Sequence, residues 1–251
     1  MSYMEVSQKQ VVSILSDSYL NCYRVKGSIK NNYLELSPHA TKTARIINFA
    51  SGGQTFRRLT ENIDELEQWV QCEPTITIIH IGACDLINKN TNLDIQDINV
   101  GQKFINLVTD FISDLNNLAE KYWGNKFHVW ANKHKYIFVQ LPDWGQFESH
   151  RTNSLNWKEY RTLRKKINKN LKDYMSRFWH HHKVLVIQPR TANEPIEGVH
   201  LSPNSQAIYN RDIFNAVARL LCVHCFPKGE FSNKTLQEEK MCTQRQCKKE
   251  I

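Results

Sequence analysis

Aliphatic and β-branched runs recur along this chain, each closed by a small or polar turn. Val11-Val12-Ser13-Ile14-Leu15 leads into Ser16-Asp17-Ser18, and Ala44-Arg45-Ile46-Ile47-Asn48-Phe49-Ala50 leads into Ser51-Gly52-Gly53. Thr75-Ile76-Thr77-Ile78-Ile79-His80-Ile81 leads into Gly82-Ala83-Cys84-Asp85, and residues 136–141 and 184–188 supply two further runs. Short apolar runs of this kind, bounded by turn residues, read as strands buried on both faces. The intervening segments repeat at helical spacing. One lies around residues 60–71, and one over 98–123 carries Phe104, Leu107, Val108, Phe111, Ile112 and Leu115 on one side. Another, over 157–179, carries Leu163, Ile167, Leu171, Tyr174 and Phe178. Ser202-Pro203 has the form of an N-cap and first helical residue, opening a helix to about Leu221.

Strand and helix alternate throughout, which predicts a parallel sheet covered on both faces by right-handed crossovers. The expected fold is α/β: a flavodoxin-like three-layer α/β/α domain with a five-stranded parallel sheet in the order 2-1-3-4-5. In such a sheet, strands 1 and 3 are neighbours at the switch point, and ligands bind beyond their carboxyl ends. The polar residues closing strands 1, 2 and 3 are therefore where a site is expected. After about Phe226 the composition shifts to a polar, Lys- and Gln-rich stretch. The organisation expected is one α/β domain over residues 1–226 and a basic, cysteine-containing tail over 227–251.

Composition narrows this only a little. The chain has 41% hydrophobic and 23% charged residues, as ordinary globular proteins do, and contains no run of apolar residues long enough to span a bilayer. The segment from Met1 to Gln10 lacks the basic-then-apolar pattern of a secretory signal, which points to an intracellular protein, cytoplasmic or nuclear. Cysteine usage agrees, because seven is an odd number and the spacing suits no compact disulfide scaffold. Nothing in the sequence sets an oligomeric state.

Candidate chemistry gathers at the strand ends. Ser18 stands just beyond the first strand, and Glu197-Gly198-Val199-His200-Leu201-Ser202 follows the last. A glutamate three residues before a histidine can orient and charge-stabilise the imidazole while the histidine takes a serine proton. Taken singly, Ser18 also reads as a turn residue, His200 as a loop histidine bonded to backbone and Glu197 as a solvated charge.

Four segments together resemble the SGNH (GDSL-type) hydrolases. Ser16-Asp17-Ser18 is similar to the first block of that family, residues 48–55 to the second, Gly82-Ala83-Cys84-Asp85 to the third and residues 197–202 to the last. The resemblance spans residues 11 to about 222. It implies a serine esterase or acyl hydrolase acting on a small ester without a cofactor. Ser18 would be the nucleophile, His200 the general base and Glu197 the third member. The backbone N–H groups of Ser18 and Gly53 would be oxyanion donors. The sequence departs from the family in three places: Ser16 replaces the usual glycine, Glu197 the usual aspartate and Cys84 the usual asparagine. The last substitution puts a weak thiol donor where the family has an amide, and losing one good oxyanion donor costs about 10²–10³ in kcat.

Two features point elsewhere. The net charge is +8, and the helical segment from Trp157 carries Lys158, Arg161, Arg164, Lys165, Lys166, Lys169, Lys172 and Arg177. A basic face of this kind suits RNA or single-stranded DNA, with Arg161, Arg164, Lys165, Lys169 and Lys172 as the contacting set; it also reads as an ordinary solvated face. That gives the alternative function, an SGNH-like nucleic-acid-binding module with weak or no hydrolysis. In the tail, Cys222 and Cys225 form one close pair and Cys242 and Cys247 another, the arrangement a tetrahedral Zn2+ site uses. Cys222 also continues the apolar stripe of the last helix. Cys22 and Cys72 read as ordinary thiols, and His180-His181-His182 as a helix end.

Overall fold

A single sheet carries the fold in the computed structural model, which describes residues 10–17, 19–20, 32–35, 43–87, 93, 97–143, 157–191 and 201–221. In chain order its elements are β1 (Gln10–Ser16), β2 (Asn32–Glu35), β3 (Thr43–Asn48), α1 (Phe56–Glu61), α2 (Ile63–Gln71), β4 (Ile76–His80), α3 (Ala83–Ile87), α4 (Val100–Trp123), α5 (Phe127–Lys133), β5 (Lys135–Val139), α6 (Trp157–His182), β6 (Val184–Ile187) and α7 (Pro203–Leu221). The strand order is β2-β3-β1-β4-β5-β6, and every pairing from β3 to β6 is parallel. These five parallel strands run in the expected 2-1-3-4-5 order. The sixth, β2, was not expected; it lies antiparallel on the β3 edge. Its polar sequence, Asn32-Tyr33-Leu34-Glu35, has none of the apolar continuity that marks the central strands.

Side chains alternate across the sheet and divide the core in two. Leu15, Ile47, Ile79, Tyr136 and Phe138 pack on one face with Leu59 of α1, Trp69 of α2, Phe104 and Phe111 of α4 and Ile167 of α6. Val12, Ile14, Ile46, Ile78 and Ile137 pack on the other face with Tyr209, Ile213 and Val217 of α7. That alternation is the period-2 geometry of a strand, and it is why both faces must be apolar. The helix starts follow local chemistry. Thr55 accepts the Arg58 N–H at the head of α1, and Asn62 ends α1 while its side chain caps α2. Ser202 Oγ accepts the Ser205 N–H at 3.1 Å, so α7 begins at the Ser202-Pro203 pair as expected.

Register sets the height of the polar groups. Ile14 lies beside Asn48 and Ser16 beside His80, so the carboxyl ends of β3, β1 and β4 finish at one level.

Candidate active site

Three turns leave the sheet side by side at this level, and buried hydrogen bonds tie them to one another. The Phe49 N–H donates to Ile14 O at 2.9 Å and the Ser51 N–H to Ser16 O at 3.0 Å, carrying the β3 turn along the end of β1. Asn48 braces both sides: its Nδ2 donates to Leu20 O and its Oδ1 accepts the Ala50 N–H, each at 2.8 Å. The turn then bends at Gly53, whose φ of +69° lies in the left-handed region that favours glycine, and its carbonyl accepts from Arg58 Nη1 at 3.0 Å. Gly53, the expected oxyanion donor, thus sits in a turn leading directly into α1.

Beyond β4 the chain turns at Gly82, with φ +121°. A Cβ there would lie 2.5 Å from Phe104 Cζ, so both backbone and packing require glycine. Cys84 follows as the second residue of α3 and is half-buried. Asp85 beside it is 2% exposed, and its two carboxylate oxygens accept the Phe56 N–H at 3.3 and 3.2 Å. Asp85 therefore ties the turn carrying Cys84 to the turn carrying Gly53. Burial pushes its carboxyl up to about 7, against the opposing pull of the Phe56 N–H and its own backbone amide, with the Asp17 carboxylate adding to the rise.

Asp17 closes the group from β1. It is 1% exposed, its N–H donates to His80 O at 3.1 Å, and its Oδ1 accepts the Tyr19 N–H at 3.0 Å. His80 lies beside it, with Nδ1 3.4 Å from Asp17 Oδ1 and Nε2 2.7 Å from the Tyr209 hydroxyl. Neither His80 nor Tyr209 stood out in the sequence. A histidine interrupting the aliphatic run of β4, just before the Gly82 turn, was the available signal.

The end of β5 is fastened by α6. Tyr160 Oη donates to Pro142 O at 2.9 Å, and Asn168 both donates to Leu141 O and accepts the Leu141 N–H. Arg161 forks onto Asp143 with two contacts of 3.1 Å. Arg164, which the helical count placed on the exposed basic face, is 8% exposed instead. It pairs with Asp143 at 3.2 Å and donates to Leu141 O. Its position borders the apolar stripe of α6, and the Asp143 carboxylate offsets the burial of its charge. Among the described side chains of this helix, the exposed cations are lysines, including Lys165, Lys169 and Lys172.

Ser18, Glu197 and His200 lie outside the described residues, as do the tail cysteines Cys222, Cys225, Cys242 and Cys247. Among the described residues no group of three or more metal-ligating side chains occurs, and no helix is long and apolar enough to cross a membrane. Burial pushes the Cys72 thiol up to about 12, which suits an unreactive packed side chain.

A sheet whose parallel strands β1, β3 and β4 end in interlocked polar turns makes this a three-layer α/β/α protein, with its candidate site at the switch point. The chain belongs to the GDSL-like lipase/acylhydrolase family, whose sequence profile matches residues 6–211, and so to the SGNH hydrolases in general. Among solved structures it is similar to Est24, a carbohydrate acetylesterase from Sinorhizobium meliloti. The two share 14% identity, the match covers 84% of this chain and 100% of that one, and the TM-score is 0.53. It is also similar to the psychrotrophic esterase EstA from a Pseudoalteromonas species, at 11% identity over 85% and 99% of the two chains with a TM-score of 0.47. Est24 shares the fold; the second similarity adds nothing to that. No curated protein sequence matches the chain significantly.

Proposed function

We propose that the protein is a serine hydrolase of small carboxylic esters. Ser18 attacks the acyl carbonyl, and His200 takes the serine proton and passes it to the departing alkoxide. Glu197 orients His200 and balances its charge. The backbone N–H groups of Ser18 and Gly53 donate to the oxyanion, with Cys84 in the third, weaker position. Water then cleaves the acyl-enzyme with His200 again as base, and no cofactor takes part. The observation supporting this reading is the interlocking of the turns beyond β3, β1 and β4: Asn48, Asp85 and His80 bind the Gly53 turn, the neighbours of Ser18 and the Cys84 turn into one frame.

Labelling with a fluorophosphonate probe, alongside hydrolysis of short-chain esters, tests it. Wild type should label and turn over, while Ser18→Ala and His200→Ala should lose both activities. Labelling or turnover that persists in Ser18→Ala overturns the reading.

A second reading rests on the exposed lysines of α6. Lys158, Lys165, Lys169 and Lys172 fall within about 60° of one another around the helix, a row about 21 Å long. Such a row fits the phosphates of a single nucleic-acid strand. Binding of a single-stranded oligonucleotide should weaken steeply with salt and with charge reversal at Lys165, Lys169 and Lys172; no binding at low salt removes it. Metal content with and without the residues after 226 tests the tail cysteines as zinc ligands.

A further inference from the structure

We infer that His80 is a positioning residue for the nucleophile, gripping both chain neighbours of Ser18 through a buried Asp17–His80–Tyr209 relay. The inference rests on the proposed role of Ser18. On one side of Ser18, the Asp17 N–H donates to the His80 carbonyl at 3.1 Å, and the Asp17 carboxylate lies 3.4 Å from Nδ1, close to it but without a hydrogen bond. On the other side, the Tyr19 ring stacks on the imidazole with centroids 5.3 Å apart and planes 27° from parallel. Tyr19 also returns its N–H to Asp17 Oδ1, closing a loop of contacts around the serine position.

The far side of the ring faces α7, the helix that follows His200 in sequence. Tyr209 meets Nε2 with its hydroxyl at 2.7 Å and sets its ring edge-on to the imidazole at 5.7 Å. Nε2 and the Tyr209 hydroxyl share this bond whichever of them donates, while Nδ1 lies against the Asp17 carboxylate. The relay thus joins the strand end bearing the nucleophile, the strand end before the Cys84 turn and the helix after the general base.

All three residues are at most 2% exposed, so neither His80 nor Tyr209 meets substrate; each acts through what it holds. A role in packing alone is a poor explanation for the relay. The rest of β4 is aliphatic but for Thr77, and an apolar residue at position 80 would avoid the desolvation that a buried imidazole and carboxylate require. What the set adds is direction: Asp17 Oδ1 holds the Tyr19 N–H, and the imidazole stands against both the Asp17 carboxylate and the Tyr19 ring while Tyr209 holds its Nε2.

Fluorophosphonate labelling rate at Ser18, with kcat and KM on a short-chain ester, tests this in the full-length chain. Tyr209→Phe removes one oxygen and keeps the ring. It should lower kcat and the labelling rate about 10-fold with KM within about twofold, since small misplacements of a reacting group cost factors of this size. His80→Leu should lose about 100-fold. His80→Asn, whose side-chain amide can stand near the place of Nδ1 beside Asp17, should recover about 10-fold of that loss. A wild-type protein unlabelled at Ser18 overturns the hydrolase reading itself. A labelled wild type with Tyr209→Phe at the same rate, or with its loss confined to KM, overturns the relay alone. A folded His80→Asn no better than a folded His80→Leu does the same. If His80→Leu does not fold, Tyr209→Phe decides.

Discussion

Asp85 accepts the Phe56 N–H on both of its carboxylate oxygens, and that bond fastens the start of α1 to the turn bearing Cys84. The same burial that shapes the contact makes ionisation costly. Its carboxyl titrates near 7 in the folded protein against an ordinary 3.8, so between those values the folded chain holds a proton that the unfolded chain has released. Stability from this group is full below the lower value and is lost as pH rises through about 7. Asp85→Asn keeps an acceptor and cannot ionise. Its stability relative to wild type should therefore climb from pH 4 to pH 7.5, by an amount on the order of a few kcal/mol. Urea denaturation midpoints across that range measure the difference; parallel profiles for the two proteins would refute it.

His134 works in the opposite sense. It is fully enclosed against Trp130 and Tyr136, with Nδ1 2.7 Å from Pro74 O, and burial holds its pKa near 3, below the ordinary 6.5. The Pro74 carbonyl pulls the other way, and Lys183 adds to the depression. The unfolded chain therefore takes up a proton that the folded chain refuses, and stability is lost as pH falls from about 6.5 toward 3. The two slopes overlap and oppose, so wild type should show a flatter profile than a variant lacking either group. His134→Phe is a fair probe because Pro74 O keeps the Trp130 Nε1 donor at 3.0 Å. Its stability relative to wild type should be better at pH 4.5 than at pH 7.5. An unchanged difference between those pH values would count against the buried neutral imidazole.

Gly82 makes a sharper demand. Alanine there meets Phe104 Cζ at 2.5 Å and Cε2 at 2.8 Å, on a backbone whose φ of +121° disfavours any side chain. Gly82→Ala should cost about 2–4 kcal/mol, combining overpacking with backbone strain. Phe104→Leu in the same chain should recover the steric part and leave the backbone part. A double-mutant cycle by chemical denaturation separates the two, and additive effects would show that Phe104 is not the obstacle.

The elements legible in the sequence were those whose pattern is repetitive. Continuous apolar runs marked β1, β3, β4, β5 and β6, and α7 starts at the Ser202-Pro203 pair because a side-chain cap and a fixed φ are local instructions. β2 was missed because an edge strand is held by backbone hydrogen bonds to β3, which any sequence can make. Within the candidate site, the Gly53 and Gly82 turns were legible because small and polar residues close the apolar runs of β3 and β4 in segments that resemble the family's blocks. The His80 relay was not, because it joins residues far apart in the chain. Arg164 was misplaced for a related reason: helical counting gives its angle on α6 but not the Asp143 carboxylate that draws it inward.

Cys84 offers the most direct test of the proposed oxyanion hole. It is half-buried at the head of α3, one residue before Asp85, so its place is held by a neighbour whose bond to Phe56 does not depend on the Cys84 side chain. A thiol donates weakly, whereas an amide at the same position can present a full N–H to the developing oxyanion. Cys84→Asn should therefore raise kcat by at least about 10-fold, with the 10²–10³ that one good donor is worth as the ceiling. Cys84→Ala should change it little, because little donation is lost. The substitution leaves Ser18, His200 and the Asp17–His80–Tyr209 set unchanged, so the gain should fall in kcat rather than KM and appear equally in the rate of fluorophosphonate labelling. A folded Cys84→Asn no faster than wild type on short-chain esters would place residue 84 outside the oxyanion hole.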